Sequence, residues 1–102
     1  MKYNVKISPE ARDEIKEALD YYGKINTKLS VKLFNIIFDN FNFIRNNPFS
    51  FAIKYKNVRT FTIEKFPFII CYFIDDQRNT VNIISVFNTY KNPEKWQERI
   101  ND

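Results

Sequence analysis

The segment FIICYFI, residues 68–74, limits the fold more than any other part of this chain. A membrane span needs about 18 apolar residues in a row, and this run has nowhere near that many, so it reads as a strand. Both of its faces are apolar. Such a strand lies inside a sheet and is covered, at least in part, on both sides.

The flanking segments supply that sheet. NVRTFTI sets Val58, Thr60 and Thr62 on one side and Arg59, Phe61 and Ile63 on the other. TVNIISVF, after the turn DDQRN, opposes Val81, Ile83 and Phe87 to Asn82, Ile84 and Val86. KYNVKI near the N-terminus alternates in the same way and predicts a further short strand.

Between the first strand and Phe51 the period changes to that of a helix. Ser8, Pro9 and Glu10 give an N-cap, a first-turn proline and an early carboxylate. Ala11, Ile15, Ala18, Leu19 and Tyr22 then form one narrow apolar stripe, and Gly23 is the expected stop. A second helix is expected from Asn26 or Thr27 to Asn46-Asn47-Pro48, ended by the proline. Leu33, Phe34, Ile37, Phe38, Phe41 and Ile44 give it a broad core face. Leu29, Ile36 and Phe43 add a flanking stripe, which suits packing on the first helix or, as the alternative, a homodimer or partner seam.

The order is β-α-α-β-β-β, an α+β domain with a helical hairpin packed on a twisted, mainly antiparallel sheet. With 102 residues the chain builds one modest core, so residues 1–102 are expected to be a single domain. Pro93 is placed to start a short C-terminal helix over 93–102, anchored by Trp96 and Ile100; an exposed arm is the alternative.

Composition narrows the chemistry. A single cysteine, Cys71, and the absence of histidine leave no disulfide pair and no set of ligands for a metal. No cofactor is expected. The N-terminus lacks the apolar core of a signal peptide, so a reduced, cytoplasmic protein with no membrane contact is expected. The net charge of +4 invites an acidic partner or nucleic acid. Lys54, Lys56, Arg59 and Lys65 concentrate positive charge, whereas Glu10 to Asp20 is acidic.

Several features occur in order over nearly the whole chain: SPEARDEIKEALDYY, a second helix ending in NNP, Arg59, FPFIICYFIDD, and IISVFNTYKNPEKW. Together they resemble the RelE/ParE superfamily of toxins from type II toxin–antitoxin systems, closer to the ParE branch. Phe66, Pro67, Phe68 and Tyr72 at the strand entry, with Asn92, Pro93 and Trp96 at the exit, carry the resemblance most specifically. It implies a small growth-inhibiting, plasmid-stabilization type protein neutralised by a cognate antitoxin. ParE-like members inhibit DNA gyrase; RelE-like members cut messenger RNA in the ribosome.

The resemblance also gives positions at which to compare the branches. RelE-like proteins carry paired lysines before the central strand, an arginine at its start and another after the last strand. Here those positions hold Thr60 and Thr62, then Ile69, then Thr89. Asn88 stands where several relatives have histidine, and an amide cannot exchange a proton near neutral pH. These replacements favour binding over cleavage.

Arg59, Asn88, Tyr90, Lys91 and Trp96 are therefore the expected target-binding residues, with Phe66, Pro67, Phe68 and Tyr72 holding the sheet that presents them. The alternative is a ribonuclease in which Lys54, Lys56 and Arg59 hold phosphate while Tyr90 or Glu94 moves a proton. A further alternative is a decayed, non-toxic family member. The bland reading of Arg59 pairs it with Glu64 or a C-terminal carboxylate.

Overall fold

The computed structural model describes residues 3–90. Lys91, Asn92, Pro93, Glu94 and Trp96, with the expected helix or arm over 93–102, lie outside the described residues. The elements run β1 (Asn4–Ile7), α1 (Pro9–Ile25), α2 (Thr27–Asn46), β2 (Ile53–Tyr55), β3 (Val58–Thr62), β4 (Phe68–Asp75) and β5 (Thr80–Asn88). They make an α+β fold in which two helices pack on a five-stranded mixed sheet of order β1-β5-β4-β3-β2. β1 pairs with β5 in parallel, and every other pair is antiparallel.

The FIICYFI run takes the central place that its two apolar faces require. On the helix side, Phe68, Ile70 and Tyr72 join Ala11, Ile15 and Ala18 of α1 and Leu33, Ile37, Phe41 and Ile44 of α2 in one buried cluster. On the other side, Cys71 packs with Val58 and Phe87. Each large apolar side chain fully buried here contributes about 1.5–3 kcal/mol.

Local signals set most of the element ends. The Ser8 Oγ accepts from the Ala11 N–H at 3.1 Å, with Pro9 opening the helix behind it. Gly23, expected to stop α1, lies inside the helix, and Asn26 ends it instead. The Asn26 N–H donates to the Tyr22 carbonyl at 2.9 Å, while its Oδ1 accepts from the Lys28 N–H at 2.9 Å, so one residue closes α1 and opens α2. A Cβ at Gly23 would stand 3.7 Å from the Ser30 side chain across the helix pair, an ordinary contact, so the hairpin does not require glycine there.

Four further details differ from the sequence expectation. Ile53–Tyr55 forms an additional edge strand, short and irregular beside β3. Phe34, assigned to the core, is 47% exposed and stacks beside Phe38, with ring centroids 4.6 Å apart. Phe43, assigned to the helix hairpin, is 45% exposed and turns instead to Phe51, with ring centroids 5.7 Å apart.

The fourth difference reverses part of β5. Cys71 pairs with Ser85 and Tyr72 with Ile83, so Ile84 is an extra residue, a β-bulge. Beyond it the side chains change face: Val86 joins the helix-side core and Phe87 the opposite cluster, the reverse of simple alternation. α1 and its N-cap residue supply what the bulge lacks. Glu14 Oε1 accepts from the Ser85 hydroxyl at 3.0 Å and the Val86 N–H at 3.1 Å, and the Ser8 hydroxyl donates to the Ile84 carbonyl at 3.2 Å.

Candidate functional site at the exit of β5

The last strand leaves the sheet beside the entry of β4, and the two ends are tied together. Asn88 pairs with Phe68. One residue on, the Thr89 N–H and hydroxyl both donate to the Pro67 carbonyl, at 2.9 and 3.3 Å. The Asn88 Oδ1 then accepts from the Tyr90 N–H at 2.9 Å, a side-chain turn that sets the direction of the exit. Pro67 thus holds the chain by its carbonyl, while Phe66 and Phe68 on either side are buried.

Those two phenylalanines carry an aromatic rim that the sequence did not announce. Tyr22, in the last turns of α1, meets Phe66 edge-on at 5.1 Å and Phe68 at 6.4 Å between ring centroids. Tyr21 packs edge-on against Tyr22 at 5.1 Å. Burial raises the Tyr22 phenol above its ordinary pKa, and the neighbouring phenols of Tyr21 and Tyr90 raise it further. Three tyrosines, two from α1 and one just past β5, therefore share one end of the molecule. Tyr21 is 61% exposed and Tyr90 85% exposed. The DYY pair at the end of α1 was the available signal, and its periodicity pointed only to Tyr22 as a core residue.

Arg59 does not belong to this rim. It pairs with Tyr72 on β4, whereas Asn88 pairs with Phe68, four residues nearer the strand's start and roughly 13 Å away along it. Its Nη1 donates to the Phe51 carbonyl, and the guanidinium lies 5.3 Å from the centroid of the Phe49 ring. These contacts, rather than Glu64, engage the guanidinium; a C-terminal carboxylate, the other partner named for it, lies outside the described residues. Tyr72 anchors the same loop: it is fully buried, and its hydroxyl donates to the Pro48 carbonyl at 2.8 Å. Burial pushes its phenol up to about 12, against a smaller lowering by Arg59.

The alternative catalytic group is dispersed as well. Lys54 and Lys56 are exposed at the β2 edge, three strands from β5, a lateral span of roughly 14 Å. Thr60, Thr62 and Ile69 stand together across β3 and β4, with Thr62 paired to Ile69. Lys54 and Lys56 are thus not gathered with Tyr90 into one cleft. What the β5 exit offers is contact chemistry: phenol rings and hydroxyls, and an amide already fixed in orientation.

The geometry agrees with known proteins. Residues 5–93 match the family model for the ParE toxin of the type II toxin-antitoxin system, parDE. No curated protein matches. Among solved structures, a chain of the chromosomal ParDE TA system from P. aeruginosa superposes with a TM-score of 0.73 at 18% identity, covering 85% of this chain and 96% of that one. A chain of the toxin-antitoxin complex RelBE2 from Mycobacterium tuberculosis superposes with a TM-score of 0.58 at 17% identity, covering 86% of this chain and 99% of that one. Both structures share the fold, and the family model spans most of the sequence: the chain belongs to the ParE toxin family of type II toxin–antitoxin systems.

Proposed function

We propose that this ParE-type toxin arrests growth by binding DNA gyrase through the β5 exit, and that a cognate antitoxin neutralises it. The observation that carries this reading is the composition of the exit: the exposed Tyr90 and Tyr21 and the half-buried Asn88 form a contact rim, while the positions that hold cations in RelE-like nucleases are Thr60, Thr62, Ile69 and Thr89. Aromatic side chains that become buried on contact, tyrosine among them, are what protein interfaces use most effectively. Lys91 and Trp96, which follow Tyr90 in sequence, extend the proposed contact.

The test is a titration of purified protein into gyrase-driven supercoiling. Inhibition that is lost in a folded Tyr90→Ala, Lys91→Glu double variant supports the reading. Folded protein with no effect on gyrase but with ribosome-dependent messenger-RNA cleavage overturns it in favour of the nuclease alternative.

A further inference from the structure

The apolar pattern leaves the register of the last half of β5 open. Ile83 and Ile84, then Val86 and Phe87, are adjacent apolar pairs, so two registers against β4 can each present an apolar side chain to both faces of the sheet. In the observed register Ile84 is bulged out and Asn88 pairs with Phe68. Continued without the bulge, the pairing of Tyr72 with Ile83 would set Phe87 opposite Phe68 and carry Asn88 one place further, onto the other face.

The face that Asn88 takes decides whether the tyrosine rim is assembled. Directly paired residues turn their side chains to one face of a sheet. Phe68 belongs to the helix-side core, where Tyr22 packs on it. The bulge therefore brings Asn88 to the side of Tyr21 and Tyr22, and from there its Oδ1 holds the Tyr90 N–H at 2.9 Å. In the bulge-free register Asn88 would leave from the face of Val58 and Cys71, away from both α1 tyrosines.

One carboxylate stands where the choice is made. β1 ends at Ile7, opposite Ile83, so beyond that point no described strand flanks β5 on its outer side. There Glu14 takes over from β1: a single oxygen, Oε1, accepts from the Ser85 hydroxyl at 3.0 Å and the Val86 N–H at 3.1 Å, the two residues that follow the bulge. Holding both fixes the point at which the ladder resumes. We infer that Glu14 is a positioning residue of the target contact, keeping β5 in its bulged register and so gathering Asn88 and Tyr90 with Tyr21 into one rim. The consequence for inhibition rests on the gyrase reading, whereas the register does not.

The test reads the register directly, from cross-strand contacts between backbone protons in NMR spectra of the isotopically labelled protein, and measures supercoiling inhibition on the same samples. Glu14→Ala is expected to exchange the contacts of Phe68 with Asn88 and Ile70 with Val86 for those of Phe68 with Phe87 and Ile69 with Val86. Its inhibitory concentration should rise roughly tenfold or more. Glu14→Gln keeps an accepting oxygen in place and is expected to keep the parent's contacts and potency. Deleting Ile84 removes the extra residue, so in the Glu14→Ala background it should restore both the contact of Phe68 with Asn88 and the inhibition. A general loss of support would not be repaired by taking away a further apolar residue. The parent's pairing retained in Glu14→Ala overturns the inference, as does a shifted register with full inhibition or a Gln variant that behaves like the Ala one. If Glu14→Ala does not fold, the deletion variant decides: folded, with Phe68 opposite Asn88 and inhibition restored, it supports the inference, and any other result overturns it. Parent protein that leaves gyrase untouched sinks the gyrase reading alone, because the spectra still report the register. Parent protein that inhibits gyrase while Glu14→Ala keeps its pairing sinks this inference alone.

Discussion

Arg59 with Tyr72, and Asn88 with Tyr90, each bring a polar group and a phenol to the sheet, yet they use them in opposite ways. Arg59 and Tyr72 direct their donors to the carbonyls of Phe51 and Pro48, fastening the loop after α2 onto the sheet. Asn88 fixes only the next turn of the chain, and the Tyr90 side chain stays in solvent. The contrast assigns the first pair to stability and leaves the second available for a target. Residue type alone did not separate them; the supply of orphan carbonyls in the irregular stretch between α2 and β2 did.

The widest test of this division removes the buried phenol. Tyr72→Ala empties a fully buried aromatic site and leaves the Pro48 carbonyl without its donor, a loss of about 3–5 kcal/mol in urea unfolding. Tyr72→Phe keeps the ring and is expected to cost about 1–2 kcal/mol. A change below 0.5 kcal/mol for the alanine variant would place the loop's anchorage elsewhere.

Alkaline pH probes the same residue without mutation. The folded phenol titrates near 12 and the unfolded one near 10, so the folded state keeps its proton where the unfolded state has lost it. Stability is therefore intact below pH 10 and falls as pH rises to 12, by roughly 2 kcal/mol. Unfolding measured at pH 9 and pH 11.5 should show the decline, and Tyr72→Phe should flatten it. The same slope in both proteins would assign the decline to other groups.

Arg59 gives a smaller and sharper result. Arg59→Ala removes the donor to Phe51 and the cation over Phe49, at a cost of about 1–2 kcal/mol. Compared at temperatures where both proteins are fully folded, the variant should inhibit the target as the parent does. A tenfold weaker inhibition by folded protein would return Arg59 to the contact surface.

The parts of the fold that could be read from the sequence were those governed by period and composition. The both-faced apolar run of β4, the capped start of α1 and the proline after α2 each have one physical outcome, and each appears where its signal stands. What escaped depends on neighbours far along the chain. The bulge at Ile84 looks like uninterrupted alternation until Glu14, some 70 residues earlier, supplies acceptors for Ser85 and Val86. Gly23 resembles a helix stop, but Asn26 competes for the same role and also caps α2, so the helix runs on. Tyr21 sits on no apolar stripe and acquires its place in the rim only because Phe66 and Phe68 dock on Tyr22.

The smallest expected change in stability belongs to the residue with the largest expected change in activity. Tyr90 is almost wholly in solvent, and the contact that fixes its backbone comes from the Asn88 side chain, which a substitution at 90 leaves in place. Tyr90→Ala should therefore shift the unfolding free energy by less than about 0.5 kcal/mol. At an interface the same truncation removes a ring that would become buried, a loss of about 2 kcal/mol or more at a dominant anchor. In a titration of the proposed target, gyrase, that energy corresponds to a rise of at least tenfold in the inhibitory concentration. Asn88→Ala is the companion variant: it keeps the ring but releases the turn that aims it, so its effect on inhibition should be smaller and of the same sign. Should Tyr90→Ala inhibit as well as the parent while Tyr21→Ala does not, the contact would move to the helix side of the rim. If both inhibit fully, the β5 exit is no more engaged with the target than the anchored loop, and the contrast between the two regions fails.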